Sequence, residues 1–148
     1  MGEKAGAAER TFQSGLNCAQ SMVAAFASEL PAEAEGAIRA AAALGGGIAR
    51  TGQMCGAVSG ALLVIGLRHG SAEPDRDAEE RVYARSQEFL RRFQERHGTM
   101  SCQELIGCDL STEAGRAFAR EHQLHSVVCS LLVRDAARIL EEMIAAED

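Results

Sequence analysis

The side chains best suited to chemistry in this sequence are five thiols, Cys18, Cys55, Cys102, Cys108 and Cys129. No two of them are spaced as CxxC, and they are scattered along most of the chain. As thiolate, a cysteine is either a redox nucleophile or a ligand for a soft metal centre. An odd number of cysteines argues against a disulfide framework. The first residues, MGEKAGAAERTF, lack the apolar core of a secretory signal. A cytoplasmic location is therefore expected, where thiols stay reduced unless they bind metal or cycle catalytically.

The elements that must position these thiols read as helices throughout. Ala and Leu dominate, alternating Val-Ile-Thr runs are absent, and apolar residues recur at helical spacing. Helices are expected over about 3–13, over 18–29 behind Asn17 and ending near Pro31, and over 32–43. The run Gly45-Gly46-Gly47 breaks the third. An apolar helix over about 53–68 follows, then a long amphipathic one from Pro74-Asp75 to Gly98 with Val82, Phe89, Leu90 and Phe93 as its inner stripe. Ser101 and Glu104 form a capping-box pattern that opens a short helix at Cys102. Ser111 or Thr112 caps a segment to about 121. The last helix covers about 125–146, with Val128, Leu132, Ala136, Ile139 and Met143 facing inward. The expectation is one all-α domain over residues 1–148, a bundle of about six to eight helices.

On these boundaries Cys18 and Cys102 occupy first helical positions, and Cys55 falls in the first turn of its helix. Unpaired N–H groups and the positive end of the helix dipole favour an anion there, so all three thiols are expected to ionise more readily than usual. Cys129 lies inside the last helix near its apolar face. Gly56 and Gly60 in CGAVSG form a small-xxx-small face that lets a neighbouring backbone approach closely, whether for packing alone or to shape a site. His122 and His125 precede Cys129 and read as surface residues, with a base or ligand role as the alternative. GGGIARTG lacks the Lys-Ser/Thr of a phosphate loop and follows a helix, not a strand, which argues against nucleotide binding.

Composition narrows the function further. The chain has 148 residues, a net charge of −6, and only 4% aromatic residues. An acidic, aromatic-poor surface does not suit nucleic acid. The longest uncharged stretch, Thr51 to Leu67, holds four glycines and reads as a buried helix and not as a membrane span. The Ala-rich helix at 32–43 offers a surface for a homodimer contact.

Four segments carry a resemblance. SGLNCAQSM around Cys18, GGGIARTGQMCGAVSGALLVIGLRHG around Cys55, HGTMSCQELIG around Cys102 and VVCSLLVRDAARILEEM around Cys129 together resemble the C_GCAxxG_C_C family of redox-active proteins. The CGAxxG element, Cys55 to Gly60, is the most specific part. The resemblance implies that Cys18, Cys55, Cys102 and Cys129 are the family's characteristic cysteines. It also links the chain to split-Soret-type cytochromes, in which four cysteines accompany an iron–sulfur centre. No CxxCH is present, so covalent haem is not implied. Cys108 lies outside the pattern and reads as a core residue, with an extra thiol near the site as the alternative.

Three functions follow as expectations. In the first, Cys18, Cys55, Cys102 and Cys129 bind one iron–sulfur cluster, [2Fe–2S], for electron transfer or redox sensing with a redox partner protein; zinc is the nearest variant, because four thiolates also suit it. In the second, Cys18 or Cys55 is the attacking thiolate of a metal-free thiol/disulfide oxidoreductase, and another cysteine resolves the intermediate. In the third, the chain is a helical interaction module whose cysteines fill its core.

Overall fold

Strong helix formers with well-placed caps give helices. A computed structural model, which describes residues 2–30 and 32–147, has eight α-helices and no strand among those residues. They are α1 (Glu3–Gln13), α2 (Cys18–Ala25), α3 (Ala34–Ala40), α4 (Gly56–His69), α5 (Arg76–His97), α6 (Cys102–Ile106), α7 (Glu113–Glu121) and α8 (Ser130–Ala145). The all-α bundle expected from the sequence is the architecture that forms. No helix among the described residues is long and apolar enough to cross a membrane.

The centre of the bundle is α4, whose Ala57, Val58, Ala61, Val64 and Ile65 are all buried. α2 packs along it, and α1 lies along α8. The α1–α8 pair is antiparallel: the Gly2 N–H donates to Glu141 at 3.1 Å, while the Ser130 hydroxyl donates to Glu9 at 3.4 Å. Phe12, Met22, Phe26, Phe89, Phe93 and Leu140 are fully enclosed between these helices. Each such side chain contributes on the order of 1.5–3 kcal/mol relative to an exposed one. The stripes expected on α5 and α8 face this core, with Val82, Leu90 and Val128 half-buried at its margin.

Several helix limits differ from expectation, and each has a local cause. α2 ends at Ala25 and passes into a 3-10 turn at Ala27–Glu29; Pro31, its expected stop, lies outside the described residues. α3 gives way at Ala41–Leu44 to another 3-10 turn. α4 begins at Gly56, not near 53, because the preceding residues are held extended. Met54 and Ser101 form an isolated antiparallel bridge, in which Cys55 N–H donates to Met100 O at 2.8 Å and Cys102 N–H donates to Gln53 O at 2.6 Å. The last helix is also divided. Gln123 has φ +53°, and residues His125–Cys129 form a π-helical turn before the α-helical spacing resumes at Ser130.

The glycine run stops its helix in an unusual way. Gly46, Gly47, Ile48, Ala49 and Arg50 all have positive φ, between +52° and +69°, and so form one left-handed turn. For a residue with a Cβ this conformation costs roughly 1–2 kcal/mol. Bonds from Gly52 N–H to Gly46 O and from Gln53 N–H to Gly47 O, at 3.2 and 2.8 Å, hold the turn closed. The Thr51 hydroxyl adds a contact to Ile48 O at 2.6 Å. At Gly47 a side chain is excluded, since a Cβ there would lie 2.5 Å from the Cβ of Cys102.

Candidate functional site: a cavity lined by four cysteines

Each of the four family-pattern cysteines is placed by a different element. Cys18 is the first residue of α2, fixed by a complete capping box: Gln20 N–H donates to Asn17 Oδ1 at 2.9 Å, and Asn17 N–H donates to Gln20 Oε1 at 3.2 Å. The Asn17 amide also donates to Ala42 O at 3.0 Å, tying this start to the 3-10 turn at Ala41–Leu44. Cys102 opens α6 behind Ser101, whose hydroxyl accepts from Glu104 N–H at 3.2 Å. The other half of the expected capping box is absent, because the Glu104 carboxylate instead accepts from Thr99 at 2.7 Å. Cys55 is the N-cap residue of α4, just outside the helix, and not within its first turn as expected. Cys129 closes the π-helical turn.

Two close approaches bring these elements together. The Met54–Ser101 bridge places the Cys55 and Cys102 backbones on adjoining strands of chain. The glycines of CGAVSG let α2 settle onto α4: a Cβ at Gly56 would stand 2.9 Å from Cys18 Cβ, and one at Gly60 would stand 2.7 Å from Ala19 O. The small-residue face therefore serves packing and site shape together. As a result, Cys18, Cys55, Cys102 and Cys129 line a single cavity of about 100 Å³. The rest of its wall is mainly apolar, including Phe12, Ile106, Leu110 and Leu132.

The electrostatics of the thiols correct one expectation. Cys18, Cys55 and Cys102 do not ionise more readily than ordinary thiols. Burial pushes Cys55 up to about 11, against the opposing pull of the Ala57 and Val58 N–H groups. Burial, followed by charge on Cys55 and Cys129, raises Cys102 to about 12. Cys18 is raised because it donates its proton to Cys129 and is buried as well. The lowered thiol is Cys129, which accepts that hydrogen bond. A helix terminus stabilises an anion by about 0.3–1 kcal/mol at an exposed site, less than the cost of burying a charge against apolar walls. The thiol in the π-helical turn, and not those at the helix starts, is therefore the one in this cavity that ionises most readily.

The remaining candidates separate cleanly. Cys108 is not a core residue: it sits half-buried in the loop after α6, outside the apolar core and the cavity wall. Burial, followed by charge on Cys129, raises its pKa. His125 is exposed, as expected, yet lines the cavity, stacked on Phe12 with ring centroids 4.0 Å apart, and partial desolvation lowers its pKa. His122 stacks on Phe118 instead and donates to, or lies against, Phe118 O at 3.0 Å. The left-handed Gln123 divides the two histidines, so they do not act as a pair. Sequence reasoning missed Phe12 and Leu110 as cavity walls; only the fold brings α1 and the loop before α7 to the cysteines. Among the described residues, no three His, Cys, Asp or Glu side chains are grouped so as to hold a metal ion as they stand.

No curated protein and no solved structure shows significant similarity to the chain. Residues 16–143, which include all four cavity cysteines, match the family described as "Putative redox-active protein (C_GCAxxG_C_C)". The chain belongs to this C_GCAxxG_C_C family.

Proposed function

We propose that Cys18, Cys55, Cys102 and Cys129 ligate one iron–sulfur cluster, [2Fe–2S], and that the protein transfers or senses electrons through it in exchange with a redox partner protein. The observation that carries this reading is that four thiols from four separate elements line one small apolar cavity. The donor set fits, since four cysteine sulfurs are the usual ligands of such a cluster. When bound, the cluster supplies a one-electron couple. The chain's own part is to hold the sulfurs, exclude water and set the local field. The Ala57 and Val58 N–H groups at the start of α4 point at the Cys55 sulfur and favour its thiolate. The apolar wall lowers the local dielectric. Ligation drives the thiol protons off, as metal binding does generally. Anaerobic reconstitution with iron and sulfide should give a brown protein with about two irons per chain. Serine at any one of the four positions should reduce the iron retained. A colourless wild-type protein without iron after reconstitution refutes the proposal.

One observation favours a second reading. The hydrogen bond from Cys18 to Cys129 lowers the Cys129 pKa, so Cys129 is the cavity thiol that ionises most readily in the metal-free protein. In that reading Cys129 attacks a disulfide substrate, and one substrate sulfur leaves as thiolate. Cys18 then resolves the mixed disulfide, so that the substrate is reduced to two thiols and Cys18–Cys129 is oxidised. Peptide mapping after exposure to a small disulfide tests it: a Cys18–Cys129 bond supports the reading, and five unmodified thiols count against it.

A further inference from the structure

The wall that closes the cysteine cavity has a second side. Leu110 and His125 line the cavity, and both also line an open pocket of about 580 Å³ on the protein surface. Three guanidinium groups surround that pocket, from Arg50, Arg116 and Arg120, and no carboxylate does. This is unusual in a chain of net charge −6. None of the three forms an ion pair among the described residues, whereas most arginines of α5 and both of α8 are matched with carboxylates. Arg116 spends one N–H on Leu110 O, at 2.9 Å, which fixes its position at the pocket.

The backbone that delivers these groups is specialised. Arg50 ends the left-handed turn, with φ +66°. Arg116 and Arg120 share one face of α7, and the left-handed Gln123 follows on the same side. Strained positions of this kind persist where the surrounding structure holds them and tend to gather at binding sites. The pocket volume lies in the range of small-molecule sites, and guanidinium forks match carboxylate and phosphate oxygens.

We propose that the pocket walled by Arg50, Arg116, Arg120, His125 and Leu110 binds a small molecule bearing several carboxylate or phosphate groups. Its place as the substrate pocket of the cysteine site rests on the redox reading above; its affinity for anions does not. The test is calorimetric titration of the reduced full-length chain at low ionic strength, with pyrophosphate in one arm and citrate in the other. The expected result is saturable one-to-one binding of at least one probe, weakened about tenfold or more in Arg50→Gln and in Arg120→Gln. Among the described residues neither side chain has an intramolecular hydrogen bond, so both variants should melt with the wild type. Arg81→Gln, on the distant α5, should bind as the wild type does. Binding of pyrophosphate alone assigns a phosphate ligand, and binding of citrate alone assigns a carboxylate. Absence of saturable binding in both arms, or equal weakening in Arg81→Gln, overturns the proposal. The heat signal does not depend on iron, so this failure is distinguishable from failure of the cluster reading.

Discussion

Gly60→Ala tests the contact on which the site's geometry depends. The added Cβ would stand 2.7 Å from Ala19 O, 2.7 Å from Met22 Cβ and 2.9 Å from Ala19 Cα. None of these is the free end of a flexible side chain, so α2 itself must retreat. Overpacking of this kind costs about 1–3 kcal/mol, and the better helix propensity of alanine returns at most about 1 kcal/mol. A net loss of about 1–2 kcal/mol should lower the melting temperature by roughly 3–6 °C for a chain of this size. Gly66→Ala, on the same helix, is the internal control, because a Cβ there meets nothing within 4 Å. It should stabilise the protein by about 0.5–1 kcal/mol. Circular dichroism melts of the two variants beside the wild type give the comparison. Retreat of α2 also carries Cys18 away from Cys129, so alkylation of Cys129 near neutral pH should slow in Gly60→Ala and stay unchanged in Gly66→Ala. If Gly60→Ala melts at or above the wild type, the close approach of α2 and α4 does not hold the site together, and the argument from CGAVSG fails.

Other outcomes follow from the same structure. Cys18→Ala removes the hydrogen bond that lowers the Cys129 pKa; alkylation of Cys129 at pH 7, followed by mass spectrometry, should be slower than in the wild type. The metal-free protein should lose stability at alkaline pH, because Cys55 is raised from 9.0 to about 11 on folding. Below pH 9 both folded and unfolded chains hold the proton and stability is full; above it the unfolded chain ionises first, and about 2 kcal/mol is lost by about pH 10.5. Urea titrations at pH 8 and 10.5 should show that loss, and a smaller one in Cys55→Ala. Ala49→Gly relieves an exposed residue with φ +52°, so it should raise the melting temperature by a few degrees, reflecting about 1 kcal/mol.

What the sequence made legible was local. Asn17, Asp75, Ser101 and Thr112 each cap the helix that follows, through a side-chain oxygen and an N–H two or three residues on. The buried Phe89 and Phe93 stripe and the inner face of α8 follow from helical periodicity alone. What could not be read depends on distant chain. The start of α4 shifts because Met54 pairs with Ser101, and no feature near residue 54 announces that partner. Gly45-Gly46-Gly47 signals a break, but not that Ile48, Ala49 and Arg50 would continue a left-handed turn after it. The π-helical turn at His125–Cys129 leaves no mark in an apolar pattern that suits an ordinary helix equally well.

The ionisation of the thiols shows why a site can be located from sequence while its chemistry is misjudged. A helix start is a local property, and it identified Cys18 and Cys102 as the first residues of their helices. Burial is a global one, and here it is larger. For Cys55 the net rise of about two pKa units, from 9.0 to about 11, amounts to about 3 kcal/mol disfavouring the thiolate, with its N–H partners already included. Four sulfurs lining one cavity, two of them buried and two half-buried, do not all become thiolates through backbone dipoles alone; only one of them, Cys129, is lowered, and it relies on a proton shared by Cys18. Deprotonating the other three requires positive charge inside the cavity. On the cluster reading, bound iron would supply that charge, and the Ala57 and Val58 N–H groups would favour the Cys55 thiolate. In the metal-free protein the Cys18–Cys129 hydrogen bond favours ionisation of Cys129 over the other three cavity thiols. The two proposed functions thus correspond to two occupancies of one cavity, and the iron content of the purified protein decides which thiols are available to react.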